Sequence, residues 1–294
     1  MINKIKNELE ERTGRTFRVH EVKKNNGVTL TGLTVEDLNV APTVYVNDIV
    51  RDIEAGDVTL EEAVDKMANL IENAIANAPD VSREKLLKWP AVIIPKLVNK
   101  EANKELLETL VYEDVPGTDL AMYYNIFVDN FGDGLGTIKI GKKEFEELGC
   151  SLEELKEAAD AYVVENMEVT NIEIVIAGLL GVSLDELHDR GMDAPTMPMY
   201  VVTNKAKVNG AACVLKAYDK LKEALGEDII ILPSSTHEVI AIPYSEDFSA
   251  FRGIVEEINF TEVSAEEKLS DNVYRLTEDG LQLLTVSKTA QIAS

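Results

Sequence analysis

Apolar and polar positions in this chain follow two periods, and the switches between them mark its elements. Residues 1–11 read as a charged amphipathic helix. Thr16-Phe-Arg-Val-His-Glu-Val-Lys23 then alternates with period two, Asn25-Asn-Gly27 supplies turn residues, and Val28-Thr-Leu-Thr-Gly-Leu33 alternates again, which predicts a β-hairpin. From Pro42 to Ile53 the apolar residues at 46, 49, 50 and 53 keep helical spacing, and Thr59-Leu-Glu-Glu62 opens a longer helix to about Asn77. After its first helix, the N-terminal quarter is expected to run β-β-α-α.

Four segments carry a hydroxyl residue followed three positions later by Glu: Thr59/Glu62, Ser151/Glu154, Ser183/Glu186 and Ser264/Glu267. In a capping box the hydroxyl accepts from a free amide while the carboxylate reaches back to the cap residue, so each pair predicts a helix start. Two of them sit in an echoed phrase, Leu148-Gly-Cys-Ser-Leu-Glu-Glu-Leu155 and Leu180-Gly-Val-Ser-Leu-Asp-Glu-Leu187. Two copies cannot build a solenoid, and the echo is a reused start signal.

Ala91-Val-Ile-Ile94, Leu120 to Val128 and Thr137-Ile-Lys-Ile140 read as strands, with Gly132-Asp-Gly-Leu-Gly136 as the turn between the last two. Further on come Met199 to Val202, Gly210 to Leu215, a helix near 216–225, Asp228 to Leu232, Glu238 to Pro243 and a helix near 246–258. Runs of β-branched residues imply strands buried on both faces, and the Pro233-to-Thr236 loop is short enough to join antiparallel neighbours. The expected class is α+β, with mixed or antiparallel sheets, flanking helices and a C-terminal β-β-α-β-β-α portion. The expected organisation is 1–89 (helix, hairpin and two helices), 90–170 (an acidic β/α portion), 171–197 (a linker or insertion) and 198–294 (the C-terminal portion).

Composition narrows the function classes. The 294 residues carry a net charge of −24, and positions 101–200 hold 22 acidic against 6 basic side chains. Such a surface repels phosphate backbones and anionic lipid, so direct nucleic-acid or membrane binding is not expected. No apolar run approaches the roughly 18–20 residues of a membrane span. The first residues lack the apolar core of a signal peptide, and the two cysteines, Cys150 and Cys213, suit a reducing compartment, so a cytoplasmic location is expected. Three dispersed histidines and two cysteines form no metal-ligand pattern, and no cofactor is expected.

Several phrases resemble one another's counterparts in a known family: Asn26-Gly-Val-Thr-Leu-Thr-Gly-Leu-Thr34, Asn39-Val-Ala-Pro-Thr-Val-Tyr45, Tyr200-Val-Val-Thr-Asn-Lys205, Gly210-Ala-Ala-Cys213, Ile231-Leu-Pro-Ser-Ser-Thr-His-Glu-Val-Ile240 and Leu269-Ser-Asp-Asn-Val-Tyr274. Over roughly residues 16–276 the chain is similar to an uncharacterised bacterial family, a domain of unknown function common in gut anaerobes and often carried on mobile elements. The likeness departs around 170–197. It implies a class of protein and no catalytic residues.

Candidate chemistry is sparse. Gly136 to Lys142 satisfies the GxxxxGK spacing of a phosphate loop, but Lys143 replaces the magnesium-binding hydroxyl and the spacer alternates like a strand. Ser82-Arg-Glu-Lys85, Ser270-Asp-Asn272 and Lys288-Thr289 echo the penicillin-recognising motifs, yet the last reads Lys-Thr-Ala. Ser270 is better read as capping a turn before a strand at Val273. Cys150 precedes a capped helix but Glu153 and Glu154 oppose thiolate formation, and Cys213 sits in a core-like run. The carboxylates of 144–147 and 153–160 lie on solvated helix faces without a calcium loop. The best catalytic trio is Ser235, His237 and Glu238, although neighbours in a strand point to opposite faces. The reading that results is a non-enzymatic protein acting through contacts with a basic partner, with Glu153, Glu154, Glu157 and Asp160 as the docking carboxylates. Its alternatives are a hydrolase or ligand-processing enzyme centred on Ser235, His237 and Glu238, and an acidic nucleic-acid mimic. The partner and the oligomeric state are not legible in the residues.

Overall fold

A computed structural model describes the chain except residues 37, 39–40, 78–81, 132–133, 192–195, 234 and 286–294. Its strands are β1 Phe17–Lys23, β2 Thr29–Val35, β3 Thr43–Tyr45, β4 Ile93–Asn99, β5 Tyr112–Asp114, β6 Leu120–Phe131, β7 Gly134–Lys139, β8 Met167–Asn171, β9 Tyr200–Asn204, β10 Ile229–Leu232, β11 Val239–Pro243, β12 Tyr274–Thr277 and β13 Gly280–Leu283. They form three sheets, ordered β1-β2-β3, β4-β6-β5 with β7 on β6, and β13-β12-β10-β11-β9-β8. All the strand pairings among the described residues are antiparallel, and helices flank the sheets, so the class is α+β.

The first sheet closes on two helices. Phe17, Leu33 and Val35 meet Ile5 and Leu9 of the Ile2–Thr13 helix and Val64, Met67 and Ile71 of the Leu60–Ala76 helix in one buried cluster. The hairpin and both helices follow the sequence pattern. The expected β-β-α-α order needs one correction, because Thr43–Tyr45 is a third strand and its helix begins only at Asn47. Helical spacing misleads here because buried Val46 donates its amide to the Thr31 carbonyl (3.0 Å) and Asn47 Oδ1 accepts the Thr31 amide (2.7 Å), so the chain completes the sheet edge before turning.

A second core lies between the other two sheets. Ile93, Leu97, Met122 and Tyr124 of one face Val202, Val239, Ala241 and Ile231 of the other, with Leu155, Ala159 and Val163 of the Leu152–Asn166 helix packed into the same cluster. Burying one such side chain contributes about 1.5–3 kcal/mol. β10 and β11 occupy the sheet centre, as their apolar runs predict, and pair antiparallel across the Pro233-to-Glu238 loop. Capping boxes form at Thr59, Ser151 and Ser183 with both reciprocal bonds in place. Ser264/Glu267 opens only a turn, because the Glu267 carbonyl accepts the Thr236 amide at 2.7 Å and is no longer free to continue a helix. The predicted turn at Gly132-Asp133 and the Lys288-Thr289 pair lie outside the described residues.

Gly210–Lys216 is a 3₁₀ helix, which corrects the strand expected at 210–215 and with it the second strand of the β-β-α-β-β-α pattern. Its entry explains the departure: a Cβ on Gly210 would stand 2.4 Å from Thr203 Oγ1, 2.5 Å from the His237 carbonyl oxygen and 2.6 Å from the Asn204 nitrogen. Only a residue without a side chain lets the backbone press against the ends of β9 and β11. Gly210→Ala should therefore cost on the order of 2–4 kcal/mol, read as a lowered urea midpoint. A midpoint within error of the wild type would mean that β9 can yield.

Candidate functional site

The β10–β11 loop carries the sequence-predicted trio. Ser235 Oγ accepts the backbone amide of His237 at 3.0 Å, and the Ser235 amide reaches the Glu238 carbonyl at 3.2 Å, which closes the turn on itself. His237 Nδ1 accepts the Asn209 amide at 3.2 Å, so the ring proton sits on Nε2, which faces Glu267 Oε1 at 3.6 Å. The His237 carbonyl in turn accepts the Thr203 hydroxyl at 2.8 Å. Ser235 and His237 therefore meet only through the main chain, and the imidazole nitrogen that would act as a base toward the serine is occupied. Glu238 points into a groove on the sheet face lined by Thr203 and Ile240. Ser234 lies outside the described residues. The acid nearest His237 is Glu267, a residue that sequence reasoning assigned to a helix cap.

Glu267 belongs to a stretch held from several directions. Asn25 and Asn26 donate side-chain amides to the Lys268 carbonyl at 2.9 and 2.7 Å, and Asn26 also reaches the Ala265 carbonyl at 2.9 Å. Asn103 accepts the Asn26 amide at 2.8 Å and donates to Asn26 Oδ1 at 3.0 Å. On the other side the Asp119 carboxylate accepts from Asn99 (2.8 Å), Asn272 (3.0 Å), Ser270 (3.2 Å) and Tyr274 (2.6 Å). The Ser270 hydroxyl accepts the Asn272 amide at 3.1 Å, the turn cap before β12. Asn26, Gly210, the Leu232-to-Glu238 phrase and the Leu269-to-Tyr274 phrase, far apart in sequence, thus surround one seam.

Beside this seam the outer face of the β4-β6-β7 sheet carries basic residues. Lys96 stands opposite Tyr123, and Lys139 opposite Asn125, all four on the face turned away from the main core. Desolvation, then the neighbouring charges of Lys139 and Lys24, bring the Lys96 ammonium down to about 8, partly offset by Glu266 and Glu267. Burial, then Lys24, also lowers Lys139. Lys139 Nζ donates to the Lys23 carbonyl at 3.4 Å and Lys24 Nζ lies 4.0 Å from the centre of the Tyr45 ring. A lone lysine inside the apolar run 92–98 was the available sequence signal.

The acidic surface is distributed unevenly. Of the four carboxylates expected to dock a partner, Glu154 is engaged in its capping box and Asp160 pairs with Lys216 at 2.6 Å, whereas Glu153 and Glu157 stand exposed. The same helix runs directly into β8, the last strand of the six-stranded sheet, and then into the Ile172–Leu180 helix. That helix is apolar on nearly every side but buries only Ala177; Ile174 is 52% exposed and Leu179 81%. Between it and the sheet lies a groove of about 670 Å³, with Glu168, Glu238 and Lys207 as its charged lining.

The profile of a family of unknown function, DUF5688, matches residues 1–277. The chain belongs to that family. No curated protein and no solved structure matches it. Membership in DUF5688 places every element of the seam within the matched span, from Asn25 to Tyr274. The cysteines stand apart from it: burial pushes the Cys213 thiol up to about 12 and also raises Cys150. Among the described residues there is no cluster of three or more His, Cys, Asp or Glu arranged to hold a metal ion, and no helix is long and apolar enough to cross a membrane. The GxxxxGK stretch forms β7 and the start of the Lys142–Leu148 helix, with no curled loop between the glycines.

Lys96 yields a test of its environment. Between about pH 8 and its free value of 10.5 the folded chain holds fewer protons at this site than the unfolded chain, so the stability contributed by this group rises with pH across that window. Lys96→Met should then stabilise the protein near neutral pH, by up to about 3 kcal/mol. The advantage should shrink as pH rises from 8 to 10.5, measured as the difference in urea midpoints between variant and wild type. A difference that stays constant across the window would show that Lys96 is solvated like an ordinary surface lysine.

Proposed function

We propose that this DUF5688 member is a binding protein that takes an extended, basic and partly apolar segment of a partner protein along the free edge of β8. The observation that carries the reading is the Ile172–Leu180 helix, which leaves Ile174 and Leu179 exposed beside a groove whose two carboxylates outnumber its one lysine. An exposed apolar helix is stabilised when covered, and among the described residues β8 pairs with β9 alone, leaving main-chain donors and acceptors on its other side. A strand added there would satisfy those groups and turn every second side chain toward the face on which Ile174, Leu179 and Glu168 line one groove. Glu153 and Glu157, on the helix leading into β8, add a field that draws a cation in without being buried themselves.

A hydrolase centred on Ser235, His237 and Glu238 finds no support in a serine and an imidazole that are both bonded to backbone. An acidic mimic of nucleic acid would bind by charge alone and would not need the apolar helix. The distinguishing probe is a synthetic eight-residue peptide alternating Val and Lys, compared with its Val-Glu counterpart by fluorescence anisotropy. The Val-Lys peptide should bind, Leu179→Asp should weaken it by about tenfold or more, and Glu153→Gln with Glu157→Gln should slow association while leaving dissociation unchanged. Equal binding of the two peptides would overturn the reading, and affinity for Val-Lys untouched by Leu179→Asp would favour the mimic.

A further inference from the structure

The basic face beside the seam is separate from the groove and independent of the reading above. Lys96, Lys139 and Lys24 gather there in a chain where acidic residues outnumber basic ones 53 to 29. Among the described residues none of the three has a carboxylate within ion-pair distance; eight other lysines do and nine do not, but these three are gathered on one partly buried face. Lys96 also lacks any hydrogen-bond acceptor among them. Both Lys96 and Lys139 are partly buried, so the charges repel one another with little solvent screening, an arrangement that costs free energy unless something compensates it.

The chemistry of the face is one-sided. Three ammonium groups donate and cannot accept, and the Tyr123 hydroxyl, directly across the β4–β6 pair from Lys96, is kept protonated by its burial. The Asn125 side-chain amide already donates to the Ile94 carbonyl at 3.2 Å. Glu266 and Glu267 are the carboxylates that approach Lys96, and Glu267 is turned toward His237. A complementary ligand must be small, since the turn of the first hairpin lies alongside, and must bring several acceptor oxygens with negative charge.

We infer that Lys96, Lys139 and Lys24, with the Tyr123 hydroxyl, form a binding site for a small, multiply charged oxyanion of the phosphate or phosphomonoester type. Ammonium groups suit such a ligand as point charges around a tetrahedral anion, and a charge-assisted bond to phosphate is about twice as strong as a neutral one. An anion placed there removes the mutual repulsion of the ammonium groups, so ligand and fold stabilise one another.

Calorimetric titration with inorganic phosphate, and separately with ethyl phosphate, tests the site. One-to-one saturable binding is expected, weakened by about tenfold or more in Lys96→Met and in Lys139→Met and unchanged in Lys66→Met, a lysine exposed on a distant helix. Tighter binding of ethyl phosphate than of phosphate would assign an ester, and the reverse the free ion. At a pH of about 8.5 binding should also take up protons, seen as a dependence of the heat on buffer ionisation enthalpy that disappears in Lys96→Met. The lysine variants remove buried charge and should fold at least as stably, which circular dichroism melting checks. Absence of saturation, or equal affinity in wild type and folded Lys96→Met, would overturn the assignment.

Discussion

Main-chain carbonyls and amides must find partners, and in this protein the stretch from exposed Ala265 to buried Ser270 finds them in side chains from remote parts of the chain and in the main-chain amide of Thr236. The stretch has no helix or strand of its own to satisfy it. Asn25 and Asn26 come from the first hairpin, Asn259 from the Ser249–Thr261 helix, and Thr236 from the β10–β11 loop. Each bond contributes only about 1 kcal/mol net, but leaving a buried partner unsatisfied costs about 1–3 kcal/mol, so the set acts as a lock more than as a sum. The N-terminal unit, which has its own closed core, is joined to the rest through this lock.

That dependence accounts for the shape of the candidate sites. With Glu267 carrying a backbone bond to Thr236, its side chain comes to face His237, and the imidazole is held from the opposite side by the Asn209 amide. The loop that looks most catalytic in sequence is thereby bonded to the main chain around it. The Ser235 hydroxyl and the His237 imidazole are bonded to main chain, and Gly210 packs against the His237 carbonyl. Donors or apolar surface stand unmatched at the lysines of the β4-β6-β7 face and along the exposed helix beside β8.

Much of the architecture was legible because its signals are local. The capping boxes at Thr59, Ser151 and Ser183, the Asn25-Asn-Gly27 turn and the runs at 229–232 and 239–243 each settle their element within a few residues. What was missed depends on contacts far along the chain. Gly210 to Leu215 reads as a strand until the backbone of Asn204 and His237 denies it the space, and Ser264/Glu267 reads as a helix start until Thr236 takes a carbonyl. Met167 to Asn171 is a strand because β9 pairs with it; Met-Glu-Val-Thr-Asn is too short and too weakly patterned to announce this.

The lysine face shows the same limit in electrostatic form. Each lysine alone reads as an ordinary solvated side chain, since Lys24 follows a polar turn, Lys139 alternates in a hairpin strand and Lys96 is one residue in an apolar run. Their significance is a property of the set, created when antiparallel pairing aligns Ile94, Asn125 and Lys139 in one row and Lys96 with Tyr123 in the next. Strands about 4.8 Å apart bring charges from residues more than forty positions distant onto one surface, where each lowers the other's affinity for a proton. A chain so acidic could have neutralised them with a nearby carboxylate, and the fold brings Glu266 and Glu267 near enough for their charges to act on Lys96. The lock holds Glu267 instead against His237, and none of the three lysines has a carboxylate within ion-pair distance among the described residues.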